Sequence, residues 1–490
     1  MRLPPRPTIY ELNTAVWLSE IGRGLGRPIG LAGVPAGEWD RLAALPVDAV
    51  WLMGVWQRSP AGRQLALSDP ALLSTFHAAL PDLRDEDVIG SAYCIRGYEL
   101  DPRFGPPEGL AVARGELASR GLGLILDYVP NHVASDHPWC SEHGEYFLHG
   151  TEAELAAAPQ AFLPTPVGVL ANGKDPYFAP WHDVVQLNAF SPALRAAAID
   201  TLRSIAERCD GTRCDMAMLL TNEVFARTWG DRAGSPPADD YWPTVTTAVR
   251  AAHPDFVFIA EAYWDMEWKL QQQGFDLCYD KRLYDRLVSE SAPSVRGHLK
   301  AAADYQERLL RFIENHDEPR AADTFAPEKE RAAAVVMSTL EGGRMYHEGQ
   351  LEGFRMRIPV QLARAPEQPV DEDLRAFYGR LLGAVAGSGL NVGTWELCEC
   401  TGWPDNHTAE QLLAWCWRSD GRRHLVVVNL DAGDAQARVR LPWGDLAGRT
   451  WRLHDALGGE GFERDGGELQ DQGLYVGMRP WESYFLAFSG

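Results

Sequence analysis

The sequence predicts an α/β protein: a (β/α)8 TIM barrel with a small excursion domain after its third strand and a C-terminal antiparallel β-sandwich. Three observations carry this. Short apolar runs alternate with helix-forming stretches over the first 380 or so of the 490 residues, as parallel βα units do. The runs are continuously apolar rather than alternating, which is the pattern of strands covered on both faces. Polar clusters follow several of the runs, and no GxGxxG follows the first. A closed barrel, whose strand ends converge on one mouth, therefore fits better than an open doubly wound sheet.

The strand candidates are Ala49 to Val55 with Val47, Gly123 to Val129, the stretch around Cys214, Phe256 to Ala260, Arg311 to Ile313, and Ala334 to Leu340. Helices are expected over Gly109 to Arg120 and Pro192 to Arg208. Ser191-Pro192 opens the second with a hydroxyl cap and a first-turn proline. The stretch from His132 to about Phe190 is irregular and rich in Pro, Gly, His and aromatics. After about Gly389 the pattern turns to short strands such as HLVVVNL, QARVRL and SYFLAF between Gly and Asp turns. The expected domains are a barrel over 1–131 and 191–389, an excursion over 132–190 and an all-β domain over 390–490.

Composition removes several function classes. Lys plus Arg total 46 against 68 for Asp plus Glu, a net charge of −22. That acidity opposes nucleic acid and anionic membrane surfaces. No run of about 18 apolar residues suits a membrane span, and MRLPPRPTIYELN has no secretory pattern. The eight cysteines are too sparse for a disulfide scaffold, so buried thiols and a cytoplasmic location are expected. Cys398 and Cys400 have no second pair at zinc spacing. With 17 Trp, 15 Tyr and 17 Phe, many beside Gly, Pro, Asp or Asn, rings are available to face sugars.

Four polar clusters follow apolar runs: Asp127-Tyr-Val-Pro-Asn131-His132, Gly211-Thr-Arg213-Cys-Asp215, Phe258-Ile-Ala-Glu261 and Asn315-His316-Asp317. Brought to one barrel mouth, these carboxylates, histidines and arginine are the inventory that cleavage of a sugar acetal needs. One carboxylate attacks carbon while a carboxylic acid protonates the departing oxygen. Arg213 and Asp215 share a strand side, so the guanidinium would keep Asp215 ionised. Glu261 must start protonated, and a less polar setting is expected around it.

The same residues resemble the α-amylase-type glycoside hydrolases and transglycosylases, retaining enzymes with this barrel (EC 3.2.1.-). DYVPNH at 127–132, GTRCD at 211–215, FIAEAY at 258–263 and FIENHD at 312–317 look like the family's four signatures in order. DVVQLN at 183–188, AYCIRGYELDPRFG at 92–105 and YHEGQ at 346–350 resemble its accessory motifs. The resemblance implies Asp215 as nucleophile, Glu261 as acid/base and Asp317 as transition-state stabiliser. It implies Arg213, His132, His316 and Tyr93 as sugar-binding residues, and Asp127 as a supporting aspartate. A retaining α-glycosidase acting on an α-linked oligosaccharide or disaccharide is expected. The alternatives are a transglycosylase or disaccharide isomerase of the trehalose-synthase kind using the same carboxylates, and a non-catalytic carbohydrate-binding protein.

The sequence also departs from the family. Met218 and Leu219 stand where many members have a Lys-His pair on the leaving side, and Gln186 stands where calcium-dependent members have an aspartate. An amide and a leucine are poor ligands for a hard cation, so neither metal nor cofactor is expected. Gly97 replaces the Asp that precedes the tyrosine in exo-acting members, here Tyr98. The GWPDN turn at 402–406 could present Trp403 to a sugar, although packing is its expected role.

Overall fold

A computed structural model describes residues 2–490. Eight strands close into a barrel in chain order: β1 (Thr8–Asn13), β2 (Ala49–Met53), β3 (Gly123–Tyr128), β4 (Gly211–Cys214), β5 (Val257–Ala260), β6 (Leu277–Tyr279), β7 (Leu309–Arg311) and β8 (Gly343–His347). Register is parallel, with Ala49 beside Gly123, Ile125 beside Gly211, and Gly211 beside Val257. Every residue of β2 and β3 is buried, which is why neither alternates in sequence.

One assignment is corrected. Ala334 to Leu340 is not a strand: residues 334–339 lie in the helix Pro327–Thr339, and the eighth strand is GRMYH just after it. All of residues 332–339 are buried, so the helix has no polar face there and its apolar run imitates a covered strand. The seventh strand begins two residues before the run at 311–313. Two strands were not apparent in the sequence: β1, because TIYELN mixes polar and apolar residues though all six are buried, and the three-residue β6. The helix Pro192–Ala206 starts as expected, with Ser191 Oγ accepting from Leu194 N at 3.3 Å.

Between β3 and that helix the chain forms an antiparallel strand pair, His132–Ala134 with Val184–Gln186, and within its long connection a small hairpin, Phe162–Thr165 with Gly168–Ala171. They have their own apolar cluster, including Val133, Phe147, Leu170 and Val185.

After the helix Glu372–Ser388, Gly389 turns the chain at φ 75°. Nine strands follow: β9 (Thr394–Leu397), β10 (Cys400–Thr401), β11 (Leu412–Ser419), β12 (Arg422–Asn429), β13 (Ala435–Val439), β14 (Thr450–Asp455), β15 (Gly461–Asp465), β16 (Leu474–Met478) and β17 (Ser483–Ser489). They make a six-stranded sheet, β9-β11-β12-β17-β14-β15, and a three-stranded sheet, β10-β13-β16. Leu412, Ala414 and Cys416 of β11 enter the core that these strands share. The alternate residues Trp415 and Trp417 point the other way, and both indoles donate to Thr339 O, at 3.0 and 2.7 Å. They bind a carbonyl that the end of a helix leaves open.

The chain forms two compact units, one built on residues 10–279 with 356–367, the other on 4–9, 280–355 and 368–490. The eight cysteines are free thiols, all buried except the half-buried Cys400. Among the described residues no helix is long and apolar enough to cross a membrane.

Candidate active site

In the first unit the site grows from the ends of β3, β4 and β5. Asp215 and Glu261 are the residues just past β4 and β5, and the ladder continues through them. Asp215 N donates to Tyr128 O at 2.9 Å and Glu261 N to Cys214 O at 3.1 Å. The two carboxylates are thus held by backbone at the same barrel end. Strand alternation puts Arg213 and Asp215 on one side, and Arg213 Nη1 donates to Asp215 Oδ1 at 2.8 Å. The other terminal nitrogen, Nη2, pairs with Glu261 Oε2 at 2.8 Å, and Asp127 Oδ1 lies 3.7 Å from Nη1. The guanidinium is fully buried, with Tyr93, Trp51 and Tyr279 around it at 5.1, 5.5 and 5.8 Å from their ring centres. Burial by itself would lower its pKa, but Glu261, the two tyrosines and Asp215 override that and raise it well above the usual arginine value.

Asp127 is held from several directions. Its carboxylate accepts from Trp51 Nε1 at 3.2 Å and Gly54 N at 3.1 Å, and its carbonyl from Trp56 Nε1 at 2.7 Å. It braces the arginine and the wall behind it. Glu261 is not in the less polar setting expected for it. Besides Arg213, Tyr263 Oη donates to Oε1 at 2.9 Å and Met216 N donates to Oε2 at 2.5 Å. Met216 reaches that position through a left-handed backbone, φ 44°. Sequence reading missed Tyr263 and Met216. The first had a signal, since it lies two residues beyond Glu261 as Asp215 lies two beyond Arg213. The second acts through its backbone and had none.

His132 lies beside Trp181, ring centres 5.2 Å apart, and is hydrogen-bonded to the Tyr93 backbone. Burial lowers its pKa to about 4, against a smaller raising effect of Asp183, so the imidazole is neutral at pH 7. Next to it, Gln186 Nε2 donates to Asn131 Oδ1 at 2.9 Å, to Asn131 O at 2.8 Å and to Leu187 O at 3.0 Å. These residues do not fit calcium, because an amide N–H group occupies the oxygens a cation would need. Among the described residues there is no group of three or more His, Cys, Asp or Glu that could hold a metal. Met218 and Leu219 are buried in the turn Ala217–Leu220.

In the second unit, past β7, His316 Nε2 pairs with the half-exposed Asp317 at 2.9 Å. Asn315 Oδ1 accepts from Asp317 N and Glu318 N, at 2.9 and 2.8 Å, and fixes the turn. Behind them the fully buried Glu314 binds Arg320, His347 Nδ1 at 2.9 Å and Ala321 N at 2.7 Å. Of the residues expected at the site, Tyr93, Asp127, Arg213, Asp215 and Glu261 form one cluster with His132 joined to it through Tyr93. His316 and Asp317 form a pair of their own.

The curated relatives include "Alpha-amylase 3" of Dictyoglomus thermophilum, 21% identical over 57% of this chain and 57% of its own. "Alpha-amylase MalA" of Haloarcula japonica is 23% identical over 83% of this chain and 53% of its own. The chain thus spans little more than half the length of these relatives. Among solved structures, the maltogenic α-amylase AmyB of Thermotoga neapolitana covers both chains completely with a TM-score of 0.71 at 18% identity, a likeness of fold. The α-amylase catalytic-domain family matches residues 31–361, and the chain belongs to that family.

Proposed function

We propose that the protein is a retaining α-glycosidase that hydrolyses α-glucosidic linkages in an oligosaccharide or disaccharide. The observation that carries this reading is the single guanidinium of Arg213 forked between Asp215 and Glu261, each at 2.8 Å, at the ends of neighbouring strands. Holding both carboxylates on one planar group supports the close spacing of a retaining pair, about 5–5.5 Å, against the wider gap of an inverting one.

In the first step a carboxylate oxygen of Asp215 attacks the anomeric carbon, the bond to the leaving sugar breaks, and protonated Glu261 gives its proton to the departing oxygen. In the second step Glu261 takes a proton from water, the hydroxide attacks the same carbon, and Asp215 is released. Tyr263 and Met216 N hold the Glu261 carboxyl through both steps. Neutral His132, with Tyr93, meets the sugar; Asp317 and His316 bind its hydroxyls as the ring flattens. Barrel segments 1–131 and 191–389 would carry this chemistry, and the buried free thiols support a cytoplasmic setting.

The test is a time course of products from maltose, maltotriose, longer maltooligosaccharides, isomaltose, sucrose and trehalose, with Asp215→Asn alongside. Release of reducing sugar in the α configuration, absent from Asp215→Asn, is the expected result. Products longer than or isomeric with the donor would move the assignment to glycosyl transfer, and equal activity of the variant would refute the nucleophile.

A further inference from the structure

The three-stranded sheet β10-β13-β16 has a solvent face that the proposed reaction does not use. Along β16, Leu474, Val476 and Met478 are buried while Tyr475 and Gly477 point outward. Along β13, Ala435, Ala437 and Val439 are buried while Gln436 and Arg438 point outward. Register sets Gln436 beside Gly477 and Arg438 beside Tyr475. The outer face therefore holds one ring, one gap and two hydrogen-bonding side chains.

The Tyr475 ring lies along its strand. A Cβ at Gly477 would stand 3.3 Å from the Tyr475 hydroxyl, so the missing side chain leaves the room that the ring occupies. The hydroxyl donates to Gln436 Oε1 at 3.1 Å. The GWPDN turn brings a second ring. Asn406 N donates to Trp403 O at 2.8 Å, and a Cβ at Gly402 would meet Asn406 O at 2.3 Å, an approach only glycine permits. Asn406 Nδ2 donates to Gln436 O at 2.9 Å, and Thr408 Oγ1 links the turn to β13 by accepting from Gln436 N at 2.9 Å. Trp403 is thus fixed against the sheet, its ring centre 6.4 Å from that of Tyr475 and its plane tilted by 34°.

Rings placed for packing would be covered, as Trp443 and Trp451 are in the core of the same region at 6% exposure each. Trp403 and Tyr475 are 39% and 45% exposed, so both remain accessible to a ligand from solvent. A glucose unit has a flat C–H face that stacks on a ring and a rim of hydroxyls that suits Gln436, Arg438 and the exposed Asp405. The tilt of the two planes follows the turn between successive units of an α-1,4-linked chain, whereas the ribbon of a β-1,4 chain needs near-coplanar rings.

We propose that Trp403 and Tyr475 form a second carbohydrate-binding surface, which holds an α-1,4-glucan chain without cleaving it. The choice of glucan rests on the α-glucosidic reading of the catalytic residues.

Native electrophoresis of the full chain through gels containing amylopectin tests this, with hydroxyethyl cellulose as the β-linked control. Wild type should be retarded by amylopectin alone. Trp403→Ala and Tyr475→Ala should each weaken the apparent affinity by about three- to tenfold, the scale of losing one stacked ring. Gly477→Val guards against a loosened turn in Trp403→Ala; it keeps both rings but takes the room beneath Tyr475, and it should weaken binding as well. Wild type running unretarded, or all three variants retarded as strongly as wild type, would overturn the proposal. Wild-type turnover of any sugar in the product panel above separates the two readings. Turnover with ring-independent retardation refutes the surface alone, whereas ring-dependent retardation without turnover upholds the surface and refutes the glycosidase.

Discussion

Arg213 and Arg311 are both buried on barrel strands, the first in one unit and the second in the other, and they are treated in opposite ways. Arg311, on β7, is saturated: Nη1 binds Asp280, Nη2 binds Gln306 Oε1, and Nε donates to Glu341 O at 3.1 Å. One cation meets one carboxylate and neutral acceptors, with His298 completing Asp280 at 3.0 Å. Burial would raise the Asp280 pKa, but His298 and Arg311 outweigh it and hold the carboxyl far below its usual range. Arg213, on β4, faces Asp215, Glu261 and Asp127, three carboxyl groups for one cation. A balanced buried pair serves the fold, and removing one partner leaves a costly lone charge. An unbalanced cluster stores electrostatic cost that function can use.

The sharpest way to break this contrast is to remove one member of each cluster. Asp215→Asn should lower kcat on a cleaved maltooligosaccharide by roughly 10⁴-fold or more while leaving the melting temperature unchanged or higher, since one of the crowded acidic groups loses its charge. Arg311→Met should do the reverse. It leaves Asp280 without its main partner, at a cost of about 3–5 kcal/mol in urea unfolding, while the protein that remains folded keeps its kcat. Equal loss of stability in both variants would erase the distinction.

Tyr263→Phe probes the same cluster more gently. It removes one hydrogen bond to Glu261 but no charge, so kcat should fall by about tenfold, the worth of one bond to a charged group. The pH–rate profile should change shape, because the hydroxyl touches the group that exchanges protons in both proposed steps. A uniform drop at every pH would make Tyr263 a packing residue.

How much of this was legible in sequence follows from where each signal lies. Arg213, Asp215 and Glu261 stood out because strand alternation and the position just past an apolar run place side chains predictably. The closed barrel was legible because covered strands are continuously apolar. Burial hid what was missed: the helix Pro327–Thr339 shows no polar face around 334–340, and β1 carries its polar residues into the interior. The surroundings of Glu261 were misjudged for another reason. Met216 N arrives through a left-handed turn, and no side-chain pattern encodes where a backbone N–H group points.

Glu330 asks whether charge imbalance alone implies function. It lies on the helix Pro327–Thr339 rather than on a strand, with Oε1 buried and without a hydrogen-bond partner. Burial first, then Glu314 and Asp371, raises its pKa to about 7. Between about pH 4.3 and pH 7 the folded protein therefore holds a proton that the unfolded chain has released. This stability is fully present below about pH 4.3 and is lost as pH rises through about 7. Glu330→Gln keeps the shape and removes the titration. Relative to wild type it should gain about 2–3 kcal/mol between pH 5 and pH 8 in unfolding measurements, with activity unchanged at both. A gain in stability with full activity would show that an unbalanced carboxylate becomes catalytic only where strand ends deliver it to substrate. A loss of activity at pH 8 would instead tie this buried helix to the reaction.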